Sequence, residues 1–390
     1  MRKDWEYKKL GEVAISDLGK TLNKSKDTGT LYPYLCAINI LWDKIDLSTL
    51  KETRFEDDEL ERYTVKYGDL LVCEGGDTGR AAIWDKQETM LYQNALHRIR
   101  LNNEINSRFL LYYLWQLKLN GEIDAKYSKG VTIKHLVKSS LMSIPTPLPP
   151  KPTQLAIVAE LDKINELIQL KKQQLEDYDQ LAQSIFYEMF GDPVENEKGW
   201  EVKKLGEICD IRDGTHDSPK YVEHSDYILI TSKNIENNLI SFENVNYITE
   251  EDFLRINKRS KVDDGDIIMP MIGTIGNPII VKLVNNINFA IKNVALIKFY
   301  STSSVINYYL QSLMKSSSFE KDITRFHKGG TQKFIALGTI RNFKIPLPPL
   351  PLQQQFAARI EAIERQKQQV SETIKDLETL LASRMQYWFD

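Results

Sequence analysis

The closest approach to catalytic chemistry in this sequence is a glutamate two residues before a lysine, found at Glu6 with Lys8 and again at Glu201 with Lys203. Metal-dependent nucleases use carboxylates to hold metal ions and a lysine beside them. Both pairs belong to one repeated segment, Trp-Glu-x-Lys-Lys-Leu-Gly-Glu, which favours a structural role at the start of two similar units. A metal-dependent nuclease is the enzymatic alternative.

Other catalytic and cofactor motifs are missing from the sequence. Residues 19–21, Gly-Lys-Thr, resemble part of a phosphate-binding loop, but Ala14 stands where such a loop has its first glycine. The Asn-Pro-Ile-Ile of residues 277–280 lacks the aromatic residue that would stack on a flipped base. His216 and His224 do not have the spacing of metal ligands. We therefore predict no catalytic residues and no metal ligands.

A long internal repeat organises the chain. Residues 5–13 return as residues 200–208, at an offset of 195 residues. The Gly-Asp-Leu-Leu of residues 68–71 returns at an offset of 197, and Leu148-Pro149-Pro150 returns at an offset of 199. The offset grows by two residues twice, as insertions in loops would cause. The chain is predicted to be globular unit, long helix, globular unit, long helix.

Each Leu-Pro-Pro turn leads into more than thirty residues without glycine or proline, which predicts a long helix. Thr153 is the predicted N-cap of the first helix. Both helices carry apolar residues at alternating steps of three and four, the seam of a two-helix coiled coil. The seam positions are Ile157, Leu161, Ile164, Ile168, Lys171, Leu175, Tyr178, Ala182, Ile185 and Met189, and then Phe356, Ile360, Ile363, Lys367, Val370, Ile374, Leu377, Leu381, Arg384 and Trp388.

Charge separates the helices from the globular units. The net charge of −3 argues against a protein that coats DNA through a uniformly basic surface. Residues 153–198 have a net charge of −6, whereas residues 1–152 and 199–351 each have +2. The helices are therefore expected to contact protein, and the globular units are the better candidates for nucleic acid.

Cysteine usage and hydropathy indicate the compartment. Cys36, Cys73 and Cys209 are scattered and show no metal or redox spacing, as expected for reduced thiols in a cytoplasm. We find no apolar signal core at residues 1–5 and no apolar run long enough to cross a membrane. A cytoplasmic protein with no membrane association is predicted.

The first globular unit is predicted to contain short strands near residues 12–15, 34–40, 70–73, 81–84 and 97–100, with a helix over residues 107–119. Its glycine-rich residues 74–80 form the tip of a hairpin, and residues 126–135 form a basic loop. The second unit repeats the scaffold with other loop residues. Arg80 corresponds to Asn277, Ile133 to Gln332 and His135 to Phe334. Such a pair suits two readers of different targets.

Over nearly its whole length the chain resembles the specificity (S) subunit of type I restriction–modification systems. The motifs that carry the resemblance are Trp-x-x-x-x-Leu-Gly-Glu at the start of each half, residues 68–84, Asp-Gly-Thr-His-Asp-Ser-Pro-Lys-Tyr at 213–221, the two Leu-Pro-Pro turns, and residues 185–193. Each motif is weak alone, but their order and duplication are specific. One departure is at Gln154 and Gln353, which lack the acidic residue that usually precedes this glutamine.

The resemblance implies an α+β fold with two similar β-rich target-recognition domains joined by two long antiparallel coiled-coil helices, related by an internal pseudo-two-fold repeat. The expected boundaries are residues 1–150 for the first domain, 151–190 for the central helix, 191–349 for the second domain and 350–390 for the C-terminal helix. In an antiparallel pair, Lys171 and Lys367 can reach past apolar neighbours to solvent or to acidic residues of the opposite helix.

In that family each domain reads one half of a bipartite site on double-stranded DNA, and the helices set the spacing. Loop side chains would read base edges while other residues hold phosphates. The predicted DNA contacts are Arg80, Lys129, Thr132 and Lys134 in the first domain, and Thr215, His216, Lys220, Lys328, Thr331, Gln332 and Lys333 in the second.

The resemblance also implies the partners: two methyltransferase subunits docked on the helices, and restriction subunits. S-adenosylmethionine would then belong to the methyltransferase, and ATP with Mg²⁺ to the restriction subunit, leaving this chain without a cofactor or a catalytic role. Two alternatives stay open beside the nuclease. One is a similar subunit of a system with a fused methyltransferase and nuclease, and the other is a coiled-coil scaffold that does not bind DNA.

Overall fold

A computed structural model describes residues 4–23, 28–130, 134–236, 239–272, 275–283, 287–324 and 334–390. The chain forms two compact units. The first comprises residues 1–172 and 371–390, and the second comprises residues 173–370. Each long helix therefore contributes one part to each unit.

The first unit is built from short strands with a few helices. Its strands are β1 (Glu6–Lys9), β2 (Ala14–Leu18), β3 (Thr30–Leu35), β4 (Ile40–Leu41), β5 (Lys44–Ile45), β6 (Lys51–Phe55), β7 (Thr64–Val65), β8 (Leu70–Cys73), β9 (Ala81–Ile83), β10 (Met90–Tyr92), β11 (Leu96–Leu101) and β12 (Pro145–Leu148). Its helices are α1 (Leu10–Val13), α2 (Asp57–Arg62), α3 (Ser107–Leu119) and α4 (Lys138–Met142), with a 3₁₀ turn at Ala37–Asn39 and a π-helical turn at Ile123–Tyr127.

Two four-stranded sheets enclose the core of the first unit. One has the order β2-β11-β8-β9 and is antiparallel, and the other has the order β6-β3-β10-β7 with one parallel pair, β3 with β10. The fully buried Trp84 and Tyr92 lie in the core that both sheets share. The predicted helix over residues 107–119 and the hairpin of β8 and β9 are confirmed.

The segment predicted as a strand near residues 12–15 is in part a helical turn. Leu10–Val13 forms α1, and only from Ala14 does the chain become extended. The carboxylate of Glu12 accepts a hydrogen bond of 3.0 Å from the backbone N–H of Lys9, which satisfies one of the free donors at a helix start. Strand β1 pairs with β12, so the repeated opening segment closes the unit against the chain that enters the long helix.

Helix α5 (Lys151–Phe190) follows, and it begins two residues before the predicted N-cap Thr153. The backbone N–H groups of Thr153 and Gln154 both donate to the carbonyl of Pro150, so Thr153 already lies in the first turn. Pro152 is tolerated there because a helix does not use the N–H groups of its first turn.

The second unit repeats the first. Its strands are β13 (Glu201–Lys204), β14 (Cys209–Asp213), β15 (Tyr221–Val222), β16 (Tyr227–Ile230), β17 (Ile235–Glu236), β18 (Leu239–Ile240), β19 (Asn246–Ile248), β20 (Ile267–Pro270), β21 (Ile279–Ile280), β22 (Asn288–Ile291), β23 (Val294–Phe299) and β24 (Lys344–Leu347). Its helices are α6 (Leu205–Ile208), α7 (Glu250–Ser260), α8 (Asn307–Met314), α9 (Ser317–Thr324) and α10 (Leu337–Arg341), with a 3₁₀ turn at Ser232–Asn234, and the chain closes with α11 (Leu350–Phe389).

The strand orders match the repeat found in the sequence. The sheet β14-β23-β20-β21 corresponds to β2-β11-β8-β9, and the ribbon of β13 and β24 corresponds to that of β1 and β12. The sheet β15-β19-β16-β22 again contains one parallel pair, β16 with β22. The α+β fold and its duplication are confirmed.

Within each unit the two long helices pair in opposite directions. In the first unit Lys172 donates to Glu378 at 2.8 Å, and Glu160 binds Arg384, which lies further along the second helix. In the second unit Lys367 donates to Asp179 at 2.7 Å, the contact with an acidic residue of the opposite helix that the seam predicted.

Half of the twenty predicted seam positions are buried, and the buried face shifts by one residue where each helix ends. Ile157, Leu161, Ile164, Phe356, Ile360 and Ile363 are buried, and Leu175 and Leu377 are half-buried. Near the helix ends the buried residues are Phe186, Phe190, Met385 and Phe389 rather than the predicted Ile185, Met189, Arg384 and Trp388.

The shift occurs because these turns pack on the globular part of their unit. Phe389 contacts Phe109 edge-on with ring centroids 5.3 Å apart, and Phe190 contacts Tyr309 in the same way at 4.7 Å. Such pairs add stabilisation beyond the apolar area that they bury. The helix ends are therefore inserted into the units and do not continue as a free coiled coil.

A buried glutamine fixes the start of each long helix. Gln154 donates to the carbonyls of Glu104 and Pro149 at 3.0 and 2.9 Å, and its amide oxygen accepts from the backbone N–H of Asn106 at 2.8 Å. Gln353 repeats this pattern on Ser304, Pro348 and Ile306, at 3.0, 2.8 and 2.9 Å. Both side chains are almost completely inaccessible to solvent.

Cys36, Cys73 and Cys209 are buried free thiols. Among the residues that the structure describes, no helix is long and apolar enough to cross a membrane. The same residues contain no group of three histidine, cysteine or acidic side chains that could hold a metal ion.

The buried glutamines give a stability prediction. Gln154→Ala leaves one backbone N–H and two carbonyls without partners in a buried site, so we expect a loss on the order of 3 kcal/mol in the free energy of unfolding. Urea unfolding followed by circular dichroism measures it. The control is Gln169→Ala, an exposed position on the same helix. Equal unfolding midpoints for the two variants would contradict the structural role of Gln154.

Candidate nucleic-acid interface

Four polar segments of the first unit converge at one edge of its sheets. They are the loop after β2, the glycine-rich tip between β8 and β9, the turn between β10 and β11, and the basic loop before α4. Four backbone hydrogen bonds of 2.7–3.0 Å join them: Lys20 N–H to Tyr92, Asn94 N–H to Lys20, Glu74 N–H to Ala95, and Leu136 N–H to Glu74. Loops far apart in sequence thus form one continuous surface, which we call the loop edge.

The basic loop carries the most accessible predicted contacts. The backbone groups of Lys129 and His135 exchange two hydrogen bonds of 2.8 Å, which close the loop at its base. The side chain of Lys129 is exposed, and that of Lys134 is exposed with its ammonium donating to the carbonyl of Asp124 at 3.0 Å. Thr132 lies outside the described residues.

Arg80 is held by the scaffold. Its guanidinium donates to the carbonyl of Ala37 at 2.9 Å and lies 3.7 Å from the carboxylate of Asp77, and its side chain is only 22% exposed. This geometry favours a role in fixing the hairpin tip, and contact of Arg80 with DNA stays a prediction.

Lys20, in the segment that resembles a phosphate loop, is buried. Its ammonium donates to the carbonyl of Arg54 at 2.9 Å and pairs with Glu59 at 2.5 Å. A lysine paired with a carboxylate in this way is not available to a nucleotide phosphate. The pairing of Lys20 and the alanine at position 14 therefore both argue against a phosphate-binding loop in this segment.

The second unit builds the same edge from other residues. Four backbone hydrogen bonds again join the segments: Thr215 N–H to Ile291 at 3.0 Å, Asn293 N–H to Thr215 at 3.2 Å, Met271 N–H to Asn293 at 3.4 Å, and Ile335 N–H to Met271 at 2.9 Å. The predicted contacts Lys328, Thr331, Gln332 and Lys333 lie outside the described residues. Thr215 is mostly buried, so its neighbour His216 is the side chain that this loop presents.

His216 stands between two oxygens. One ring nitrogen lies 2.9 Å from the amide oxygen of Asn293, and the other lies 2.7 Å from the carboxylate of Asp213. These two hydrogen bonds raise the pKa of His216 above its ordinary value, because an imidazole can donate from both nitrogens only when it is protonated. The nearby guanidinium of Arg259 opposes the rise.

A cavity of about 350 Å³ lies beside His216 and is lined also by Arg255 and Arg259 of α7. Each arginine is partly neutralised, Arg255 by Asp252 at 2.6 Å and Arg259 by Asp213 at 2.6 Å. Hydrogen-bond donors and cationic groups on an exposed concave surface can receive an anionic group such as a phosphate. Only the fold places Arg255 and Arg259 next to His216.

Lys220 ends this loop with an exposed side chain, and its backbone N–H donates to Asp252 at 3.0 Å.

The acid–lysine pairs considered for a nuclease lie elsewhere, on strands β1 and β13. Lys8 lies 3.7 Å from Glu6, and Lys203 lies 3.3 Å from Glu201. Their strands β1 and β13 pair with the strands before the long helices, which supports the structural interpretation of the repeated segment.

The environment of His216 gives a second prediction. In an NMR titration of the intact chain we expect the pKa of His216 to lie above about 6.5, the value of a free imidazole. Asp213→Asn removes the carboxylate and moves that pKa downward, whereas Tyr221→Phe, a control at the start of β15, leaves it in place. The charge on the ring is present below the raised pKa and is lost as pH rises through it. A pKa at or below 6.5 in the unaltered chain would contradict this geometry.

Comparison with known proteins identifies relatives along almost the whole chain. The type I restriction modification DNA specificity domain matches residues 2–177 and again residues 197–379. The type I restriction enzyme MjaVIII specificity subunit of Methanocaldococcus jannaschii is 25% identical over 97% of this chain and 92% of its own. The type I restriction enzyme EcoBI specificity subunit of Escherichia coli is 23% identical over 78% of this chain and 68% of its own.

Solved structures share the fold. The S subunit of a type I restriction–modification system from M. genitalium aligns with a TM-score of 0.51 at 15% identity, covering 99% of this chain and 96% of its own. A chain from a structural study of complex assembly and conformational transition of the type I R-M system aligns with a TM-score of 0.54 at 20% identity, covering 100% and 98%.

Proposed function

Because the chain belongs to the family of type I restriction–modification DNA specificity domains and is a specificity subunit of such a system, we propose that each of its two units reads one half of a bipartite site on double-stranded DNA. One observation carries the proposal: the same loop edge is built twice, on matching strands, with different side chains. A duplicated scaffold with altered loops suits recognition of two unlike half-sequences.

Each loop edge would combine two kinds of contact. Exposed lysines such as Lys129, Lys134 and Lys220 would hold phosphates and set the register on the duplex, as would the arginines of the cavity beside His216. Gln332 would reach base edges in the major groove, while Thr132 and Thr331 would help to hold phosphates. Thr215, Lys328 and Lys333 complete the proposed contacts, and Arg80 would contribute chiefly by fixing the hairpin tip.

The two long helices would set the distance between the half-sites and carry the protein partners. Each helix has 40 residues, which corresponds to about 60 Å at 1.5 Å per residue. This length exceeds the roughly 34–36 Å of one DNA turn, so unread base pairs would separate the two half-sequences. The acidic surface of α5 suits protein contact better than DNA contact.

The chemistry of the complex would reside in other chains. The repeat offers two equivalent positions for two methyltransferase subunits, which would bind S-adenosylmethionine and modify adenines. Restriction subunits would bind ATP and Mg²⁺. The assembly would act in the cytoplasm on the DNA of the cell, and this chain would supply specificity without a cofactor of its own.

The phosphate contacts can be tested by charge removal. Lys129→Ala should weaken binding to all DNA sequences alike and reduce the slope of log affinity against log salt by about one, since one fewer phosphate would be neutralised. Fluorescence anisotropy of the complex with its methyltransferase, over a series of salt concentrations, measures both effects. Lys126→Ala is the matched control, because Lys126 already pairs with Glu122 at 2.7 Å. An unchanged slope would remove Lys129 from the proposed phosphate contacts.

The spacing role can be tested by shortening both helices. Deleting residues 169–175 and 368–374, which match at the repeat offset of 199, removes one heptad, or about 10 Å, from each helix. We expect the unread spacer of the methylated site to become shorter while both half-sequences stay the same. Altered half-sequences with an unchanged spacer would show that the helices do not measure the site.

A further inference from the structure

The loop after β2 in the first unit and the loop after β14 in the second occupy the same backbone frame. Gly19 and Gly214, at the repeat offset of 195, lie against the neighbouring turn so closely that a Cβ atom would come within 2.3 Å of the carbonyl oxygen of Tyr92 and within 2.2 Å of that of Ile291. No side chain fits at either position. Glycine therefore lets both loops cross the end of the adjacent strand at the same place.

The residue after each glycine is fixed through its backbone. Lys20 donates to Tyr92 and accepts from Asn94, at 3.0 Å in both cases, and Thr215 donates to Ile291 and accepts from Asn293, at 3.0 and 3.2 Å. These hydrogen bonds set the direction in which the next residue points. That residue is Thr21 in the first unit and His216 in the second.

In each unit an asparagine at the corresponding position, Asn94 or Asn293, contacts the side chain of this next residue. The amide of Asn94 donates to the hydroxyl of Thr21 at 3.3 Å, and the amide oxygen of Asn293 lies 2.9 Å from the ring of His216. Both Thr21 and His216 are exposed, so each presents its remaining surface to solvent at the loop edge. The backbone arrangement is therefore the same in both units, whereas the exposed side chain that it positions differs.

The two side chains differ in what they can bind. The hydroxyl of Thr21 keeps its own proton and a lone pair after accepting from Asn94, so it can donate or accept. His216 faces the carboxylate of Asp213 and lies beside the charged residues Asp217, Arg255 and Arg259. Lys292, in the turn between β22 and β23, donates to the hydroxyl of Ser218 at 3.0 Å. His216 offers an aromatic imidazole ring in place of a neutral hydroxyl.

We infer that Thr21 and His216 are equivalent specificity-determining positions, each of which contacts DNA in its own half-site, and that Asn94 and Asn293 are the residues that position them. This inference rests on the proposed function, and it adds to the first unit a contact that the sequence did not indicate. The same glycine and the same backbone hydrogen bonds position this residue in both units, but the residue is Thr21 in the first unit and His216 in the second.

Reciprocal exchange tests the inference in the complex with the methyltransferase. We expect Thr21→His to lower affinity at least fivefold for duplexes that carry the cognate first half-site and to change the bases preferred there, with the second half-site unaffected. His216→Thr should lower affinity for duplexes that carry the cognate second half-site and change the bases preferred there, with the first half-site unaffected. Thr21→Ser keeps the hydroxyl and should retain the original preference. Binding is measured on duplexes in which one half-site at a time is randomised.

A variant of the positioning residue Asn94 distinguishes a loss of DNA discrimination from a loss of folding stability. Asn94→Leu should weaken discrimination at the first half-site while the midpoint of thermal unfolding changes little, because Asn94 holds an exposed side chain. If the unaltered complex reads a bipartite site but the exchanged variants keep both preferences, this inference is overturned and the proposed function stands. If the unaltered complex reads no bipartite site, the proposed function itself fails.

Discussion

The structure depends on a buried amide at the start of each long helix. Gln154 and Gln353 each satisfy two carbonyls and one backbone N–H in a site closed to water, where a missing hydrogen bond is costly. Each glutamine ties the first turn of its helix to the segment that precedes α3 or α8. The entry of a long helix is thereby fixed to a globular body by geometry that other side chains do not reproduce.

The opposite end of each helix is held by apolar packing. Phe389 is inserted against Phe109 and Tyr113 in the first unit, and Phe190 against Tyr309 and Phe356 in the second. In each unit one helix therefore begins on a buried glutamine and the other ends on a buried phenylalanine.

Above this constant frame, the loop edge is free to vary. Its backbone hydrogen bonds recur in both units, because they join strand ends whose order is the same. Several of the side chains that the edge presents do not recur, as the comparison of Thr21 with His216 illustrates. Separation of a fixed scaffold from exchangeable contacts is a common way for proteins to carry binding residues. It explains how duplication could give one chain two unlike recognition surfaces.

Local patterns in the sequence predicted much of the fold. The helix Ser107–Leu119 and the strand Leu70–Cys73 follow from residue type and turn signals, and the repeat predicted the second unit from the first. The pattern failed where tertiary contacts decide the outcome. The seam shifted at Met385 and Phe389 because those residues pack on the globular part of the first unit, which a heptad pattern does not encode.

The candidate site was less predictable for the same reason. Basic loops were visible in the sequence, but the contact of Arg80 with the carbonyl of Ala37 spans 43 residues, and that of His216 with Asn293 spans 77. These contacts involve Arg80 in fixing the hairpin tip and raise the pKa of His216 above its ordinary value. The role of Lys20 likewise became clear only from its partner Glu59.

We propose that two units of one chain read two halves of a single DNA site. Co-expression of the chain with its methyltransferase, followed by genome-wide mapping of methylated adenines by single-molecule sequencing, tests this proposal. We expect one motif composed of two short defined sequences separated by a fixed number of unread base pairs. A single continuous motif, or methylation without sequence preference, would contradict it.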